Sequence, residues 1–99
     1  MTFARSALLL FAGPLLWAAH FAAIYGFTGL ACARTWTGAV PWAVACLTFA
    51  AALACAFVIA VGLRRRDVFE AWLGAMLAAA ALVAILWEAL PALLVPACA

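Results

Sequence analysis

His20 is the sole histidine and Tyr25 the sole tyrosine among 99 residues, and four cysteines stand at positions 32, 46, 55 and 98. His20 and Glu88 both lie deep within apolar runs, where an ionisable side chain is costly and turns toward a partner or the protein interior. Such a pair could hold a proton, bind a ligand, or fix helix register through a hydrogen bond. Cys32 and Cys98 could close a disulfide if the fold brings them together in an oxidising compartment. Cys46 and Cys55 are nine positions apart in one run, roughly 13 Å along a helix and beyond disulfide reach, so they read as packing residues. One histidine, with no Cys-x-x-Cys or His-x-x-His spacing, argues against a metal or haem site. No base stands near a Ser or Cys for nucleophilic catalysis. The residues therefore predict no cofactor and no enzyme.

The elements that must position these residues are set by composition. Hydrophobic residues make up 75% of the chain and charged residues 8%, against about half and about a quarter in soluble domains. A water-soluble fold has nowhere to put so much apolar surface, so the lipid bilayer is the predicted solvent. The net charge of +2 is too small to suggest nucleic acid. Three apolar runs separated by two short polar interruptions predict an all-α membrane protein. Its three transmembrane helices, over about 8–33, 40–63 and 68–96, would pack as a small antiparallel bundle in a single domain. Pro14 marks either the first turn of the first helix or a kink in a longer one. A cleaved signal peptide is the rival reading of the start, but the apolar core is too long for it and contains His20. A retained span is the expectation.

Charge supplies orientation. Arg5 stands on one side with Arg64, Arg65 and Arg66, while the first loop offers only Arg34. The positive-inside rule then puts the N-terminus and the second loop in the cytoplasm and the C-terminus outside, which in a bacterial inner membrane means the periplasm. The arginine triplet reads as a topology determinant, with anionic headgroup contact as an addition.

This topology brings the reactive residues into pairs. Cys32 and Cys98 fall at the outer ends of the first and third helices, and a disulfide there would fasten the two; two free thiols acting as small hydrophobes are the alternative. His20 lies twelve positions before Cys32 and Glu88 ten before Cys98, so with the cysteines level the polar groups differ by roughly 3 Å in depth. They are expected to meet, directly or through Tyr25 or water, either as a structural hydrogen bond or as a proton-handling or ligand pair. Pro91 withdraws a helical N–H from the Trp87 carbonyl and adds a polar spot beside Glu88.

Helix association in lipid depends on close approach through small residues. The third helix offers Ala71, Gly74, Ala78 and Ala81 before bulky Ile85. The second offers Ala43, Cys46, Ala50 and Ala54, and the first Ala22 and Gly26. Of the five Trp, several fall inside the spans and read as packing residues.

GPLLWAAHFAAIYGFTGLACAR at 13–34 and LWEALPALLVPACA at 86–99 resemble a family of small bacterial membrane proteins without settled activity, often encoded beside haem–copper cytochrome oxidase genes. Gly13, Pro14, Trp17, His20, Tyr25, Cys32, Leu90, Pro91, Leu93, Pro96 and Cys98 carry the likeness, which covers the outer helices and about half the chain. Relatives often carry Gln where Glu88 stands, which implies that the position needs a hydrogen bond more than a charge. The resemblance implies a non-catalytic accessory subunit or assembly factor, with the lipid bilayer and respiratory membrane subunits as partners. The alternative is a small oligomeric transporter or metal-handling protein using His20 and Glu88.

Overall fold

The computed structural model describes residues 2–96 and Cys98. Three helices follow in order, α1 (Phe3–Ala33), α2 (Val40–Arg64) and α3 (Phe69–Leu94), with a short 3-10 turn at Thr37–Ala39 ahead of α2. Each is long and apolar enough to cross a membrane, the makeup of a multi-pass membrane protein. They pack against one another as an elongated bundle 50 × 22 × 15 Å.

The helix ends need not coincide with the expected membrane spans. α1 starts at Phe3, because the Thr2 hydroxyl accepts from the Arg5 N–H at 3.3 Å and caps the first turn. Pro14 therefore lies inside the helix, where it removes the N–H that would meet the Leu10 carbonyl. α2 instead carries its proline, Pro41, in the first turn, where the lost N–H costs little. α3 ends at Leu94, short of the expected 96.

The first loop is held by a helix-ending motif. Arg34 N–H donates to the Leu30 carbonyl and Trp36 N–H to the Ala31 carbonyl, a Schellman-type pattern that requires a left-handed residue between them. That residue is Thr35, at φ 60°, where glycine is the usual occupant and a β-branched side chain is strained. Thr35→Gly is expected to raise bundle stability by about 1 kcal/mol, read as a higher unfolding midpoint in detergent.

α3 is the shared element. Ala71, Gly74, Ala75, Ala78, Ala81, Ile85 and Ala89 form its buried stripe, which includes every small residue the sequence put forward there. The approach to α1 is backbone to backbone: a Cβ on Gly13 would stand 2.7 Å from the Ala78 Cα, and one on Gly74 would collide with the Leu9 carbonyl. Gly62 of α2 seats the Ala71 carbonyl and the Ala75 side chain in the same way.

The other expected contacts are corrected. Ala22 and Gly26 face outward, with nothing near the Gly26 Cα face. On α2 the buried face is Val40, Val44, Ala51, Cys55, Val58 and Gly62, so the stripe through Ala43, Cys46, Ala50 and Ala54 runs beside it. Cys55 packs in the core as expected, whereas Cys46 is exposed. All five Trp point away from the bundle. The small side chains of α3 leave no room for an indole between helices, so bulk is displaced outward.

Candidate functional site

His20 hangs from α1 into the space between all three helices and is only 4% exposed. Its Nδ1 lies 2.8 Å from the Glu88 Oε1 of α3, and its Nε2 lies 2.9 Å from the Thr48 Oγ1 of α2. One imidazole thus joins three helices, with both ring nitrogens engaged. Among the described residues no buried side-chain polar atom lacks a partner, as a low-dielectric interior demands.

Two apolar clusters enclose this polar layer. Ile24, Val40, Val44 and Ala89 pack on the disulfide side, and Ala51, Cys55, Ala81 and Ile85 on the other, with Leu16 against them. Each helix therefore reads apolar, polar, apolar through the layer: Leu16, His20, Ile24 on α1; Val44, Thr48, Ala51 on α2; Ile85, Glu88, Ala89 on α3. A shift of one helix by a turn would bury Glu88 or His20 against hydrocarbon, so the layer specifies register.

The donor and acceptor roles of the two ring nitrogens follow the tautomer, and the Thr48 hydroxyl, which both donates and accepts, satisfies Nε2 in either role. A neutral pair is the cheapest form at membrane depth, where an uncompensated charge is heavily penalised.

Tyr25, expected near the pair, does not mediate it. Its residue is 59% exposed, its ring stacks at 4.5 Å on Phe21, and it lines a cleft beside Glu88. Thr48 is the functional residue that sequence reasoning missed. The usable signal was that it is the only hydroxyl-bearing residue in the α2 run.

Cys32 and Cys98 are joined as a disulfide, with Cα atoms 5.8 Å apart and 66 positions of separation. The bond draws the segment after α3 back to the end of α1. Cys32→Ser is expected to lower stability by about 2–4 kcal/mol, and thiol alkylation of the wild type should label Cys32 and Cys98 only after reduction. Labelling of both without reductant would contradict the bond.

Arg64 ends α2, Arg65 caps it and Arg66 follows in the turn, all exposed. Arg5 and Arg65 line one groove with Leu8, Leu9, Phe57 and Val61, so the positive charge of the N-terminal segment and second loop gathers at one end of the bundle. Among the described residues no three His, Cys, Asp or Glu side chains converge as a metal site would require.

Comparison with protein-family models, with curated proteins and with solved structures finds no match to this chain.

Proposed function

We propose that the protein is a non-catalytic integral membrane protein, an accessory subunit or assembly factor of a larger membrane complex. The observation that carries this reading is the full engagement of His20: Glu88 and Thr48 take both ring nitrogens, so the most reactive group in the chain is spent on joining helices. The outward display of Trp17, Trp42, Trp72 and Trp87 supports it, since large aromatic side chains serve both interfacial anchoring and subunit packing.

The choice of a respiratory, haem–copper oxidase type complex rests on the likeness of the two outer helices to small bacterial membrane proteins encoded beside such oxidases. The same reading sets the chain in a bacterial inner membrane. The arginine-rich end, with Arg5, Arg64, Arg65 and Arg66, faces the cytoplasm, and Cys32 and Cys98 face the oxidising periplasm. Purification of a tagged copy in mild detergent should recover respiratory subunits or their assembly proteins in fixed proportion. A protein that runs alone under every mild condition would defeat the proposal.

A further inference from the structure

Beside the polar layer lies a half-open cleft of ≈ 250 Å³, lined by Ile24, Tyr25, Thr28, Glu88, Pro91 and Val95 among others. It is distinct from the His20 contact itself and lies between α1 and α3, with Val40 of α2 also on its lining. α1 lines it with Ile24, Tyr25 and Thr28, and α3 with Glu88, Pro91 and, just past its end, Val95, so each wall carries polar and apolar groups. Pro96 also lines it, two residues before Cys98, whose bond to Cys32 staples this segment in place.

We propose that this cleft binds a small neutral aromatic molecule bearing a hydroxyl group, which enters from the lipid and donates its hydroxyl hydrogen to the Glu88 carboxyl. Four observations select that class. Glu88 engages His20 through one oxygen, and a carboxyl group retains further acceptor capacity. The Glu88 side chain is 13% exposed and lies on the cleft wall, so that capacity is reachable. A neutral donor adds no charge beside the His20–Glu88 pair, where an uncompensated charge of either sign is costly at membrane depth. The volume exceeds the roughly 150 Å³ that accommodates benzene in an apolar cavity, which leaves room for one substituted ring while any longer tail runs out into lipid. Tyr25, which lines the cleft and is 59% exposed, offers an aromatic surface. This inference does not depend on the protein's belonging to a respiratory complex.

The test uses the full chain in lipid nanodiscs, with 4-fluorophenol followed by fluorine NMR and 4-fluoroanisole as the ring without a donor. Saturable binding of the phenol is expected, roughly tenfold or more tighter than the anisole, which is the ratio one lost hydrogen bond to a desolvated acceptor gives. Thr28→Phe should abolish saturation by filling the cleft, with helicity and the disulfide intact. Empty nanodiscs give the lipid partition alone. Equal, non-saturating signals for both compounds with the wild-type protein would overturn the proposal, whatever the variant does. Saturable binding unchanged in a folded Thr28→Phe protein would place the site elsewhere and overturn it equally.

Discussion

Replacing His20 with leucine is expected to destabilise the bundle more than replacing His20 and Glu88 together by Leu and Met. The single change removes the only partner that the described residues give Glu88 and strands a carboxyl group within the membrane-spanning part of the bundle. Leaving a buried polar group unsatisfied costs about 1–3 kcal/mol, more for a charged one. The double change trades both for apolar groups of similar size and leaves only Thr48 to find a substitute. Its hydroxyl can turn to a carbonyl one turn back in its own helix, so that loss is small. The single change should therefore cost about 2–3 kcal/mol and the double about 1 kcal/mol. Steric trapping or reversible unfolding in mixed micelles would measure both, and strictly additive losses would show that the pair is not coupled. Glu88→Gln should be mild, since the amide can accept from Nδ1 or donate to it.

The second large effect belongs to glycine. Gly74→Ala places a methyl group against the Leu9 carbonyl of α1, which is backbone and can yield only if the helices part. Overpacking of this kind costs about 1–3 kcal/mol, and separating α1 from α3 also lengthens the His20 to Glu88 bond. Gly26→Ala is the matched control. Its Cβ would meet nothing, and alanine is the better helix former by about 1 kcal/mol, so that variant should be neutral or more stable. Equal behaviour of the two variants would contradict the α1–α3 packing described above.

These residues also show how far the sequence could be read. Helix number, the small-residue stripe of α3 and the pairing of His20 with Glu88 follow from hydropathy, spacing and depth, because a bilayer restricts a chain to few topologies. Rotation of a helix about its own axis is another matter. Ala22 and Gly26 have the spacing of an interface yet face outward, and Val40, Val44 and Val58 are buried on α2 although nothing in composition separates them from exposed neighbours. In soluble proteins polarity marks the outer face; here both faces are apolar, and only the rare polar residue reports rotation. Thr48 was such a reporter. As the single hydroxyl in its run it points inward to His20, and pointing α2 by Thr48 instead of by its alanines gives the observed buried face. Of the two readings that Pro14 allowed, the longer helix is the one found, because the Thr2 cap starts α1 at Phe3.

The same polar scarcity makes the central claim directly measurable. With one histidine in the chain, nitrogen-15 labelling of histidine reports His20 alone. Combined with carbon-13 at the glutamate carboxyl, solid-state NMR of the protein in bilayers can measure the separation of Nδ1 from the Glu88 Cδ. Glu70, the other glutamate, lies in the first turn of α3 and contributes nothing at that range. A hydrogen bond between the two groups requires a separation of about 4 Å or less. Dipolar dephasing at that distance is the expected result, and its absence beyond about 6 Å would show that His20 does not join α1 to α3.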